Sequence, residues 1–226
     1  MSEIVAKQAS RRRQPAANPT LSRGEIARVA LELGSQEGFD QLSMRSLARV
    51  LGVTPMALYH HVADKQDLFG MLVDQVLEDV EVPPLEFGTW QERISELQAQ
   101  SADYSARYPG IDTLIYQVKT TPQGLRLMNG YIQILREGGF SEQEAVLGFS
   151  LIYTMGLGSS IIDRQFGPQS DRKDASGKTE RPSNIAREWR RLIKAGGKDK
   201  TLRFRQKVVF AGLESIKGTL GDEERA

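Results

Sequence analysis

The chain of 226 residues predicts an all-α fold, and three observations carry that prediction. Apolar residues recur at three- and four-residue spacing from Ile26 to Ile216. Ser, Thr or Asp stands where these segments begin, and Gly or Pro stands where they end. No segment alternates apolar and polar residues with period two, and no internal repeat interrupts the helical pattern.

The elements follow in order. Residues 1–20 are polar, contain Pro15 and Pro19 and have no periodicity, so they predict a disordered arm made basic by Lys7 and Arg11–Arg13. Ser22 and Glu25 have the spacing of a capping box, opening a helix with Ile26, Val29, Ala30 and Leu33 on one face and Gly38 at its end. Ser43 caps a short helix carrying Leu47, Ala48 and Leu51, closed by Gly52. Thr54 before Pro55 is an N-cap with proline at the first helical position. Asp64 opens a helix through Leu68, Leu72, Val76 and Val80 that Pro83-Pro84 stops. Four helices follow at about 89–107, 111–118, 122–137 and 142–165, with Thr121-Pro122 and Ser141–Glu144 marking two starts. Residues 166–183 predict a mobile polar loop, and two final helices fit 184–195 and 199–219.

Composition narrows the chemistry. Hydrophobic residues at 39% and charged residues at 26% suit a packed core. With no cysteine, disulfides, thiol catalysis and cysteine-ligated metal are excluded, and two adjacent histidines do not make a histidine-rich metal site. No metal or other cofactor is expected. Met155-Gly156-Leu157-Gly158 lies inside a helical pattern with no strand before it, so it is not a phosphate loop. His60 and His61 have no nearby Ser/Asp constellation, and the chain is not expected to be an enzyme. No apolar run approaches the roughly 20 residues that span a bilayer, and the N-terminus lacks a secretion leader; no membrane contact and a cytoplasmic location are the expectation.

The short helices at 43–62 have the shape of a helix-turn-helix. Ala48 is small where the helices cross, Gly52 tolerates the turn, and Leu58 is the apolar residue that locks the angle. A plain αα-hairpin has the same spacing. The outward positions of the second helix favour a groove-reading surface: Thr54, Pro55, Met56, Tyr59 and His60 offer hydrogen bonds and methyl contacts.

Residues 22–80, and above all SMRSLARVLGVTPMALYHHVADKQDLF, resemble the DNA-binding domain of the TetR family of bacterial transcriptional regulators. The resemblance implies that Ser43, Met44 and Arg45 start the helix approaching the phosphates, with Arg45 long enough to reach a base edge. It makes Thr54, Pro55, Met56 and Ala57 the leading residues of the recognition helix, and puts Tyr59, His60 and His61 where relatives contact phosphate or support that helix. Lys65 would bind a phosphate at the start of the next helix. His61 fits packing against the first helix as well as DNA contact, and the arm fits either a solvated tail or a backbone-tracking one.

A weaker resemblance extends over residues 83–220, towards the ligand-binding and dimerisation domain of tetracycline-repressor-type members. It is carried by Trp90-Gln91 and by GFSEQEA at 139–145, which opens a long helix. On this reading residues 21–64 form the DNA-binding domain and 65–82 the connecting helix. The long helix, with Gly156, Gly158, Ser159 and Ser160 permitting close approach, pairs with 202–216 in a four-helix homodimer seam. Leu97, Ser101, Tyr104, Met128, Tyr131, Phe149 and Tyr153 take inward positions on three helices, an apolar lining with hydroxyls suited to a small hydrophobic or aromatic effector. Tetracycline repressors hold their drug as a magnesium chelate with a histidine on their sixth helix. Residues 112–118 offer no histidine, so that chelate is not the expected ligand. The expected activity is that of a dimeric repressor, released from a palindromic operator in double-stranded DNA by its effector. An architectural DNA-binding protein, or an activator without effector-driven release, is the alternative.

Overall fold

A computed structural model describes residues 21–166 and 183–220. The basic arm and nearly all of the predicted mobile loop lie outside the described residues. Among those described, every regular element is helical: α1 (Arg23–Glu37), α2 (Met44–Leu51), α3 (Pro55–Tyr59), α4 (Lys65–Leu77), α5 (Trp90–Arg107), α6 (Asp112–Ile115), α7 (Pro122–Glu137), α8 (Glu142–Phe166) and α9 (Asn184–Ile216), with one 3-10 turn at Leu85–Phe87.

Side-chain caps set most of these boundaries. Ser22, Thr54, Asp64, Thr89 and Thr121 each accept a hydrogen bond from the backbone N–H three residues on. At Ser22 only the forward bond of the anticipated capping box forms; reciprocal boxes stand at Thr89/Glu92, at Ser141/Glu144 and at α2, where Ser43 and Ser46 exchange bonds of 3.1 Å. In α2 serine replaces the usual Glu or Gln at the third position, which is why pattern matching passes over that box.

Two elements differ from expectation. The final two helices are one: α9 runs unbroken through Gly196-Gly197. Each helical glycine costs about 1 kcal/mol relative to alanine, which is why the pair predicts a break. Helix α6 is also shorter than predicted, a single turn between Ile111 and Tyr116.

The head packs α1 on α4 and α2 on α1 and α3, with Ile26, Leu47, Leu58, Leu68 and Leu72 fully buried at its centre. In the larger part α7 lies between α4, α5 and α8, and α9 covers α8. Trp90 fixes the start of α5 by edge contacts with Phe140 and Phe210, at 5.2 and 5.1 Å between centroids, and donates from Nε1 to Glu214 at 3.0 Å. Buried Arg93 donates to the Pro83 carbonyl at 3.0 Å and pairs with Glu137 at 2.6 Å, so the segment after α4 is pinned to α5 and α7. Gly130 lets that segment approach closely: a Cβ there would stand 2.5 Å from the Val82 side chain.

Candidate nucleic-acid interface and effector cavity

The turn that aims α3 is built locally. Gly52 closes α2 in the left-handed region (φ 67°, ψ 27°), and the Val53 N–H donates to the Ala48 carbonyl at 3.0 Å. Thr54 Oγ1 then accepts from the Ala57 N–H at 3.2 Å and starts α3. Leu47, Leu58 and Val62 are buried, which fixes the roll of α3 and turns the opposite face outward. Arg45, Thr54, Pro55, Met56, Tyr59 and His60 are exposed together, while Ala57 and His61 are half-buried. Met56 and Tyr59 are large hydrophobic side chains left in water, at 68% and 49% exposure.

Three of the predicted contacts are placed differently. The Met44 side chain is buried in the core of the head and leaves the set of surface contacts. Helix α2 packs on α1 and α3, and Met44 joins the apolar cluster that this packing buries. Ser43 is exposed, but its hydroxyl is committed to the cap of α2 and to Ser46 Oγ at 2.9 Å. Lys65 Nζ stands 3.4 Å from the Asp40 carbonyl and 5.1 Å from the Phe69 ring centroid.

Sequence reasoning missed Arg23 and Asp67. Arg23 donates to Asp67 at 2.9 Å and to the His61 carbonyl, and Asp67 also accepts from the Ala63 N–H at 2.8 Å. The Arg23 guanidinium beside it, with the Ala63 N–H, holds the Asp67 carboxyl below the usual aspartate range. One signal existed in the sequence: a cation in the first turn of α1 opposes the helix dipole and needs a partner elsewhere.

A cavity of about 370 Å³ opens behind the head among α4–α9. Ser101, Tyr104, Met128, Tyr131, Phe149 and Tyr153 line it, together with Val73 and Leu77 of α4. Leu97 does not: it is fully buried between helices one turn before Ser101 and belongs to the core. Tyr116, Asp112, Ile152 and Arg205 join the lining, although sequence reasoning did not single them out. Tyr116 meets Tyr153 edge-on at 5.2 Å, and Phe149 lies 5.8 Å from Tyr131 and 5.7 Å from Tyr153. Burial pushes the phenols of Tyr104, Tyr116, Tyr131 and Tyr153 up, so all four present un-ionised O–H groups at neutral pH. Gly156 and Ser159 face this cavity rather than an open seam, and Ser159 Oγ is bonded to Arg205.

The head and cavity share α4. Its C-terminal half carries Val73 and Leu77 into the cavity wall, and α7 grips its end. The Gln123 N–H donates to Asp74 at 3.0 Å, and Arg126 reaches the Leu77 and Val80 carbonyls at 2.9 and 2.8 Å. On the far side, Leu147, Leu151 and Ile161 of α8 and Phe204 and Val208 of α9 are exposed, with open space around Gly158. No described helix is long and apolar enough to cross a membrane.

Comparison with known proteins agrees with this geometry. Residues 82–204 match the family described as "Tetracyclin repressor-like, C-terminal domain", and residues 26–72 match "Bacterial regulatory proteins, tetR family". The HTH-type transcriptional repressor DrrR1 of Streptomyces coeruleorubidus is 26% identical over 155 residues, which cover 65% of this chain and 56% of that protein. The match therefore spans little more than half of that relative's length. Tetracycline repressor protein class E of Escherichia coli is 28% identical over 147 residues, 64% of this chain and 69% of that one. Among solved structures, ActR of Streptomyces coelicolor in complex with actinorhodin superposes with a TM-score of 0.71 at 24% identity, covering 89% of this chain and 99% of the other. With the matched C-terminal domain alone taking up more than half of its length, the chain belongs to the tetR family of bacterial regulatory proteins.

Proposed function

We propose that this protein is a homodimeric transcriptional repressor, acting in the cytoplasm, whose paired heads bind a palindromic operator and release it when a small aromatic effector fills the cavity. The observation that carries the reading is the dual membership of α4, which packs on α1 in the head and lines the cavity with Val73 and Leu77. An effector that favours one placement of α4 changes the separation of the two heads, which must be about 34–36 Å to meet successive major grooves. A differential affinity of about 3 kcal/mol between the two states is roughly a 150-fold change in operator binding.

Arg45, Thr54, Pro55, Met56 and Ala57 are the candidate base readers, and Tyr59, His60, His61 and Lys65 the candidate phosphate contacts; Ser43 joins them only if its hydroxyl leaves the cap. Met56 and Ala57 suit thymine methyls more than polar base edges, so Arg45 and DNA shape carry much of the discrimination. The walls of the cavity fit an aromatic molecule with acceptor oxygens: Leu127, Met128 and Phe149 are apolar, while the tyrosines supply neutral donors. The exposed apolar stripe on α8 and α9 supports a dimer seam. The relatives from Streptomyces coeruleorubidus and Escherichia coli are both named as repressors, which supports repression over activation.

The test combines selection from a random duplex library with a thermal-shift screen of aromatic compounds. Enrichment of a palindrome, with salt-steep binding weakened by Tyr59→Ala and Lys65→Ala, is expected. A compound that raises the melting temperature should also lower operator affinity. Binding without sequence preference, together with no thermal shift from any compound, would favour an architectural protein instead.

A further inference from the structure

Arg23 is the first residue of α1, where the positive end of the helix dipole disfavours a cation. Its guanidinium leaves that end. Nη2 donates to Asp67 Oδ1 at 2.9 Å, Nη1 lies 3.4 Å from Oδ2, and Nη1 also donates to the His61 carbonyl. These partners lie 38 and 44 residues further along the chain. Asp67 Oδ2 accepts from the Ala63 N–H at 2.8 Å, and the Asp67 N–H donates to Asp64 at 2.8 Å. One planar fork on α1 thus grips both sides of the turn that follows the recognition helix. The His61 carbonyl stands just past the cap of α3, where a helix end leaves carbonyls without intrahelical partners.

Stability does not explain this arrangement. The Arg23 and Asp67 side chains are 53% and 32% exposed, and ion pairs so placed contribute little to stability. Direction is what the network supplies. With α3 only five residues long, its end otherwise rests on the buried Leu58 and Val62 and on the bonds from the His61 and Val62 N–H groups to the Leu58 carbonyl, both 2.9 Å and both local to the turn.

We infer that Arg23 and Asp67 are positioning residues for DNA binding, setting through His61 and Ala63 the angle at which Tyr59, His60 and His61 meet the duplex. The inference rests on the proposed DNA-binding reading. It competes with direct phosphate contact by Arg23, and the two differ in sign at Asp67. A carboxylate near DNA repels phosphate, so removing it tightens binding if electrostatics alone acts. Removing it loosens binding if it orients the helix.

The experiment measures anisotropy of the full chain on the palindrome that the wild type selects from a random duplex pool, between about 50 and 300 mM salt. Asp67→Asn and Arg23→Gln should each weaken binding roughly tenfold, and the double variant should be no worse than the weaker single. The slope of log affinity against log salt should stay at the wild-type value for both. Arg23→Lys keeps the charge but not the fork and should not rescue, and it serves as the second variant if Arg23→Gln loses helical circular dichroism. Binding by Asp67→Asn as tight as wild type or tighter overturns the inference. So does a slope lowered by about 0.9 in Arg23→Gln, the signature of one lost phosphate contact. Selection of no sequence by the wild type would instead remove the DNA-binding reading itself.

Discussion

Arg126 caps the last turn of α4 by donating from Nη2 to the Leu77 carbonyl at 2.9 Å. The same nitrogen reaches the Val80 carbonyl at 2.8 Å, and Nε is held by Gln123 at 2.6 Å. Helix α7 therefore grips α4 with one face while Gly124, Leu127 and Met128 line the cavity with another.

Arg126→Met keeps an unbranched, uncharged stem and removes these donors. It should lower stability by about 1–3 kcal/mol, the cost of part-buried carbonyls left unpaired. Operator affinity without effector should change little, while the loss of affinity on adding a cavity-binding compound should shrink several-fold. Chemical denaturation and anisotropy with and without compound check both; a full effector response in this variant would remove α7–α4 capping from the coupling.

Gly156→Leu tests the cavity. A Cβ at Gly156 would stand 3.6 Å from the Tyr116 hydroxyl, an ordinary contact, and the rest of a leucine side chain would project into the space between Tyr116 and Tyr153. A helical glycine replaced by leucine adds up to about 1 kcal/mol of helix preference, so the unliganded protein should not melt lower. Thermal shifts from compounds that stabilise the wild type should disappear, with operator binding retained. Undiminished shifts would move the binding site elsewhere.

The proposed dimer seam on α8 and α9 is tested by Leu151→Glu combined with Phe204→Glu, both exposed positions in the single chain. Light scattering should report a monomer, and operator affinity should fall by at least tenfold because the two half-sites are no longer bound together. A pair of substitutions that leaves the dimer intact would exclude this face as the seam.

Glu144 links α8 to the turn that follows α9. Its carboxylate accepts from the Ser141 N–H at 2.8 Å and from the Gly218 and Leu220 N–H groups at 2.6 and 3.4 Å. The Ser141 N–H does most to hold its pKa below the ordinary glutamate value of 4.5. A carboxyl lowered in the folded state stabilises fully above its unfolded value, and that contribution is lost as pH falls through the lowered one. Glu144→Gln should therefore show a constant deficit in melting temperature above about pH 5 that closes progressively at lower pH. A deficit independent of pH down to 2 would mean that the charge contributes nothing.

How much of this was legible in the sequence varies by element. Ser22, Thr54, Asp64 and Thr121 mark helix starts because a cap is a contact between near neighbours, visible within four residues. Gly52 likewise declares its left-handed turn. Burial depends on which helices meet, and there local periodicity misleads. Met44 and Leu97 have the right phase for their expected roles, yet each faces a neighbouring helix that its own segment does not specify. Arg23–Asp67 and Arg126–Leu77 span 44 and 49 residues, beyond any local pattern. Tyr116 was overlooked because α6 is one turn long, too short for periodicity to assign a face.

A recognition helix of five residues has a thermodynamic consequence. It is far shorter than the roughly 12–15 residues at which an isolated helix becomes even marginally stable in water, so it exists only as part of the folded head. On the proposed function, the duplex would bind the native head and have no equivalent partner in the unfolded chain. Operator and head stability are then linked by mass action: saturating DNA at 100 times its dissociation constant adds about 2.7 kcal/mol to the head. On that proposal, warming would unfold first the molecules not seated on DNA, and the free pool of the protein would set the upper temperature of control.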